Sequence, residues 1–464
     1  MLPERKEMIP VAGETSREVF ESMPVWKAVR TMALPTVMGQ IIVLIYNIAD
    51  TFFLGRTNDP AMVAAAALVL PVFNISIAVA NLSGVGGGAL VPALLGVNRP
   101  EEARKVSSFS VWLGIAIAAT FALLTGLFMR PLLTVLGAGE DTFAYARTYA
   151  LCVIVCGGIP TVLTNVLANL VRSVGESKKA GFGVMLGGVI NIGLDPLFMF
   201  VLLPPGHEIF GAGFATLLSN CISCVYFLLV IRALGKDTVI RPGFPRELPQ
   251  AASIRRLLSV GFPATLNGFL FDMDFVIIDR LMSGYGTAAL AAVGIVLKAE
   301  RLPLNIGGGI CQGMVPIISY NHASGNKERS FALRRAFLLS GVCCAVVSIV
   351  LYEIFAPQIL RFFIADAETV ALGTGFLRRR ALATILMFIS FFHVYLFNAY
   401  GKGGTAFFLG ATRWLGFNIP MLFVMNRLMG MYGIVWAQLI ADTLTVILSL
   451  CVHRRFEKKN ARKP

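Results

Sequence analysis

Charge is what this sequence has least of. Only 14% of its 464 residues are Asp, Glu, Lys or Arg, against about 25% in soluble globular proteins. Histidine is scarcer still: His207, His322, His393 and His453 are the only four, and they fall into no metal-ligand spacing. The eight cysteines include a CxxC (Cys221, Cys224) and an adjacent pair (Cys343, Cys344). All lie in apolar runs, where thiols behave as small hydrophobes, and those runs lack the further ligands a zinc site needs. Neither a metal nor another cofactor is expected. With no clustered His and Asp and no nucleophile constellation, an enzyme is not expected either. Residues 1–29 carry acids and bases without a compact apolar region or small-residue cleavage site, so a cleaved signal peptide is not expected.

What the chain has instead is long uncharged runs. Residues 31–49, 106–129, 148–171, 209–231 and 381–401 contain no Asp, Glu, Lys or Arg, and each meets the roughly 18-residue requirement of a membrane-spanning helix. Residues 62–98 are uncharged for longer still, and Pro71 and Pro92 could bend that helix. Twelve spans follow: 27–55, 62–96, 107–134, 143–172, 179–203, 210–232, 253–282, 287–321, 330–356, 368–401, 403–426 and 431–453. The net charge of +14 would point to nucleic acid in a soluble protein. Here the basic residues favour alternate connections by roughly three to one, the positive-inside pattern. Nucleic acid is therefore not an expected partner. Both termini are expected in the cytoplasm, in an inner or plasma membrane.

The chain also repeats. Leu34-Pro35 opens the first span as Phe262-Pro263 opens the seventh. Asp50 precedes Gly55 as Asp279 precedes Gly284; Val91-Pro92 answers Val315-Pro316, and Pro196 answers Pro420. The expected fold is an all-α membrane protein of twelve helices, in two six-helix lobes related by a pseudo-two-fold axis along the membrane normal. The expected parts are a cytoplasmic segment 1–26, an N-lobe 27–232, a linker 233–252, a C-lobe 253–453 and a basic tail 454–464. Parallel repeats of this kind characterise transporters that alternate access about a central site.

Several segments resemble those of the multidrug and toxic compound extrusion (MATE) transporters. They are Tyr46-Asn-Ile-Ala-Asp50-Thr-Phe-Phe-Leu-Gly55-Arg56, Arg172-Ser-Val-Gly-Glu-Ser-Lys-Lys, Asn191-Ile-Gly-Leu-Asp195-Pro196 and Gly211-Ala-Gly-Phe-Ala-Thr. Their order along residues 27–453 makes the resemblance specific. It implies two six-helix lobes around a V-shaped cleft. It also implies a secondary antiporter that exports cationic, lipophilic compounds against H⁺ or Na⁺, working as a monomer.

Carboxylates at membrane depth are costly and so mark function by default. Asn191 and Asp195, four residues apart, share one helix face, and Pro196 leaves the Ile192 carbonyl without a helical donor. The resemblance maps N-lobe cation-site residues onto Asp50, Asn191 and Asp195, with Asn47, one turn before Asp50, able to join them as Na⁺ ligand. The structural alternatives are an Asp50–Arg56 pair at the outer interface and a satisfied Asp195 beside a helix kink. In the C-lobe, Asp272, Asp279, Lys298 and Glu300 form the candidate set, read either as a salt-bridge network or as a second site. The family's usual acid on span ten is missing from residues 384–398. A flippase for a lipid-linked precursor is the alternative function, though Lys298 and Arg301 are few basic residues for an anionic headgroup.

Overall fold

The computed structural model describes residues 14–235 and 238–461, and among them every regular element is helical. A short α1 (Glu14–Glu21) precedes α2 (Val25–Gly55), α3 (Pro60–Gly96) and α4 (Pro100–Leu127), with a one-turn α5 (Met129–Val135) after them. The fourth span is broken: α6 (Glu140–Ala150) runs through a π-helical turn into α7 (Gly158–Ser173), with a bend of 45°. The fifth joins α8 (Ser177–Pro196) to a π-helical stretch at Leu197–Leu202, and α9 (Glu208–Ala233) completes the first lobe. The second lobe runs α10 (Ala251–Met282), α11 (Thr287–Ala323), α12 (Lys327–Phe363), the bent pair α13 (Ala367–Ala381) and α14 (Thr384–Ala399), then α15 (Gly403–Ala411). A π-helical turn leads from α15 into α16 (Ile419–Met429), and α17 (Met431–Ala461) ends the fold.

Among the described residues nine helices are long and apolar enough to cross a membrane, and the two bent pairs supply two more. The twelfth span is α11, whose 37 residues include Lys298, Glu300 and Arg301. The two breaks, at span four and at span ten (46°), fall at equivalent places in the two lobes. The repeat read from landmarks is thus a repeat of shape. Of the segment 233–252, expected as a linker, residues 239–250 are strapped along α4. Ser107 Oγ donates to the Val239 carbonyl (2.7 Å), Trp112 Nε1 to that of Pro242 (3.2 Å), and the Gln250 amide to Glu102 (2.8 Å). The bond it accepts from Lys105 holds the Glu247 carboxyl in this strap below its usual range.

The lobes meet along only half of their length. The N-terminal half of α2 packs on the C-terminal half of α11, and the C-terminal half of α3 packs on the N-terminal half of α10. All four half-helices lie at the end of the bundle that carries α1. Their backbones approach closely because glycine faces the partner. A methyl on Gly313 would stand 2.6 Å from the Met32 carbonyl, and one on Gly86 would stand 2.7 Å from that of Leu257. Ser319 Oγ then crosses the seam to the Ala89 carbonyl (2.7 Å). Although α1 precedes the first lobe, it docks on the second. Arg329 of α12 donates to the carbonyls of Val19 (3.1 Å), Phe20 (2.7 Å) and Met23 (2.8 Å), and Phe20 stacks on Tyr320 with ring centroids 5.0 Å apart.

A side chain larger than hydrogen at this seam must push the lobes apart. We expect Gly313→Leu to lengthen the spin-label distance between positions 98 and 326, which lie on equivalent turns of the two lobes at the α1 end. An unchanged distance distribution would show that the seam does not depend on backbone approach.

Candidate functional site

Above the seam the lobes diverge around a central cavity of about 480 Å³, lined by both lobes. Among the described residues no Asp or Glu lines it. Ten of its lining residues are Asn or Gln, including Gln40, Asn191, Asn267 and Gln312, interleaved with Tyr46, Phe391, Tyr395 and Trp414. Gln40 Nε2 donates to Gln312 Oε1 (3.3 Å) across the lobes. Several of these polar groups have no partner and are shielded from solvent: both amide atoms of Asn267, Oδ1 of Asn191 and of Asn398, and the Thr161 hydroxyl. A cavity of this size suits a drug-sized ligand, and its amides offer donors and acceptors alike without fixing a charge.

The N-lobe acids lie behind this wall. Asp195 is fully buried, and Asn191 is 3% exposed. The Asn191 amide donates to Asp195 Oδ1 and to Thr216 Oγ1, both at 3.3 Å. Asn191 and Thr216 also line the cavity, so one amide connects the buried carboxylate to the central space. Asp50, half-buried on α2, is near enough to Asp195 for their charges to interact, with the phenols of Tyr46 and Tyr149 beside it. Among the described residues no basic side chain pairs with either acid. Asp50 Oδ1, Asp195 Oδ2 and Asn191 Oδ1 are all shielded and all without a partner. Three unsatisfied oxygens gathered between α2 and α8 fit a proton or a hard cation, which prefers oxygen ligands. The expected pair Asp50–Arg56 does not form; the Arg56 guanidinium lies over the Phe52 ring instead, 6.0 Å from its centroid.

Asn47 does not join the group. It is exposed, and its amide donates to the Val43 carbonyl of its own helix (2.9 Å). The reason is angular: residues three apart on a helix are offset by about 60°, and the packed face of α2 runs through Asp50 and Leu54.

The C-lobe set also divides. Asp279 and Lys298 are exposed, because the inward faces of their helices run through Asp274 and Ile278 on α10 and through Leu297 and Glu300 on α11. The side chain of Asp272 lies outside the described residues. Glu300 is buried and accepts both arms of Arg380 (2.7 and 2.8 Å). Beside it, Arg413 makes a second two-armed pair with Asp442 (2.6 and 3.2 Å), and Asn418 Nδ2 donates to Asp274 (2.6 Å). Asp274, Arg380 and Arg413 are not among the candidate residues read from the sequence. The C-lobe therefore neutralises its acids with arginine where the N-lobe leaves them bare.

Known proteins were compared with this geometry. The MatE family profile matches residues 35–197 and again 263–424, once in each lobe. The chain belongs to the MatE family. Its relatives include the multidrug export protein MepA of Staphylococcus saprophyticus, 29% identical over 433 residues, spanning 93% of this chain and 94% of MepA. MepA of Staphylococcus aureus strain MSSA476 is 29% identical over 434 residues, with the same coverage. Among solved structures, an outward-facing multidrug resistance MATE transporter superposes with a TM-score of 0.89 at 21% identity, covering 96% of this chain and 98% of that one. The Vibrio cholerae MATE transporter VcmN in its bent form gives 0.85 at 20% identity, with coverage of 95% and 97%. The twelve-helix, two-lobe MATE fold is thereby shown, and the profile's double match reproduces the internal repeat.

Breaking a buried ion pair strands the surviving charge, at a cost of about 3–5 kcal/mol. Arg413→Gln should therefore lower the melting temperature of the purified protein in detergent, and adding Asp442→Asn should recover part of the loss. If the single variant melted with the parent, the pair would not be stabilising this MATE C-lobe.

Proposed function

We propose that this chain is a secondary multidrug exporter that binds small amphipathic compounds in the central cavity and exchanges each for H⁺ or Na⁺ held by Asp50, Asn191 and Asp195. One observation carries the reading: two carboxylates without a basic partner among the described residues lie close enough for their charges to interact, and the amide that bonds one of them, Asp195, also faces the cavity. Two such acids held out of water repel each other and need a cation between them. When the ion enters, the Asn191 amide and Tyr46 must adjust, and both also touch the cargo space. Ion and cargo would thus compete through shared residues, which gives exchange.

The basic bias of the connections supports placing both termini in the cytoplasm. On that orientation the glycine seam and α1 seal the cytoplasmic side, and the cavity faces outward, ready to release cargo and accept an ion. The family and the MepA relatives support export of several chemically different compounds. Cationic lipophilic substrates fit the aromatic faces of the wall and its unfilled amide acceptors. A lipid-linked precursor is a poorer fit, since one of the two lining arginines is already neutralised by Asp442. A monomer suffices, because one chain builds both lobes and the whole cavity.

Everted vesicles loaded by a pH gradient or by a sodium gradient should identify the ion that drives dye export. Asp50→Asn and Asp195→Asn should each lower gradient-driven export at least tenfold, with dye binding in detergent changed by less than about threefold. Undiminished export by both variants at equal expression would remove the pair from the mechanism.

A further inference from the structure

The cavity's two arginines are in different states. Arg413 sits between the rings of Phe391 and Trp414 and is neutralised by Asp442. Arg172, in the last turn of α7, is not. It is 4% exposed, yet the sequence places it where a solvated cytoplasmic charge belongs. Its Nη1 donates to Asn169 Oδ1 (3.0 Å), while Nε is shielded without a partner. No carboxylate lies within ion-pair distance of it among the described residues. Asn169 is held by bonds of 2.9 and 3.1 Å to Asn165, so its oxygen stays turned toward the guanidinium. From the other lobe Tyr395, itself a cavity residue, brings its phenol into electrostatic range of Arg172.

A buried guanidinium has a planar fork of donors matched to a carboxylate, and leaving it without an anion is unfavourable. The N-lobe acids do not serve it, because neither comes within ion-pair distance, and among the described residues no acid lines the cavity. We propose that Arg172 is a specificity-determining residue, binding the acid group of substrates that carry a carboxylate on an aromatic ring system, zwitterions included. Tyr395 and Phe391, one turn apart on α14, supply the flat apolar wall for such rings. This rests on the reading of the cavity as the cargo site and adds a charge preference to it. A cation-only exporter would have no use for an unpaired positive group there.

The test is fluorescence polarisation of the purified full chain with rhodamine 123, a cationic methyl ester, and rhodamine 110, its free acid. The readout is the ratio of the two Kd values. Charged hydrogen bonds at a buried site correspond to discrimination on the order of tenfold or more. Arg172→Gln should therefore shift the ratio against the free acid by at least about tenfold, and Arg172→Lys should retain part of the preference. Equal loss of both dyes in Arg172→Gln would assign Arg172 a structural role and overturn the proposal. So would an unchanged ratio, or a parent protein that binds the ester and rejects the acid; either of these leaves the export reading standing. Binding of neither dye by the parent would sink the cargo-site reading and this inference together.

Discussion

A charge inside a bilayer must be neutralised by the protein or by what the protein carries, and this constraint organises the whole molecule. Hydrocarbon offers no solvation, so each buried ion has to find its counter-ion within the bundle. The two lobes share a fold and answer the constraint differently. In the C-lobe, Glu300 and Asp442 receive two-armed arginine partners, and the amide of Asn418 serves Asp274. In the N-lobe, Asp195 receives the Asn191 amide, Asp50 has the Tyr149 hydroxyl beside it, and among the described residues neither has a cation. Fold symmetry with chemical asymmetry separates a scaffold from a machine. Where the protein supplies the counter-charge, structure results; where it withholds the counter-charge, the proposed exchange has an ion from solution come and go.

The path of that ion is joined to the cargo by very little material. Asn191 bonds to the carboxylate on one side and to Thr216 at the cavity wall on the other. A side-chain amide has one acceptor and two donors, so any species that draws on its free oxygen changes what remains for Asp195. Coupling by a shared residue needs no long relay through the fold, and it puts the conserved quantity, charge, next to the variable one, cargo. Pro196 and the π-helical stretch after it sit directly beyond Asp195. The ladder there is already interrupted, and interruptions of this kind recur at functional sites.

The spans, their number, the repeat and the bare acids were all legible in the sequence, because apolar length and missing charge are one-dimensional signals. The inward face of each helix was not. In a soluble helix one stripe is apolar and reveals the core; in a membrane helix the lipid face is apolar too, and periodicity loses its contrast. Hence Asp279 looked equivalent to Asp50 by repeat position, while Asp274, five residues earlier, takes the buried place. Asn47 failed for the same reason: proximity along the chain is not a shared face. Arg172, Arg380 and Arg413 stand at or between apolar runs, where nothing in the sequence marks them as buried. Their burial depends on bends, at Gly157 and around Leu382, and on a π-helical turn at Thr412–Asn418, none of which apolar runs announce.

The seam between the lobes shows why the closed side can also open. Its closest approaches are backbone against backbone at glycines, with apolar side chains such as Met32, Ile310 and Met314 packed beside them and the α1 helix held by Arg329 through carbonyl oxygens. Close approach of this kind maximises dispersion and removes water, and no ionic lock among the described residues holds it. The buried two-armed ion pairs, by contrast, lie within the C-lobe, and none joins the lobes among the described residues. A rigid C-lobe core, a seam without ionic locks and a bare pair of acids in the opposite lobe divide the work: one part resists deformation, one separates, and one decides when. In the proposed exchange, ion entry between two repelling acids is the event to which this seam, free of ionic locks among the described residues, would respond.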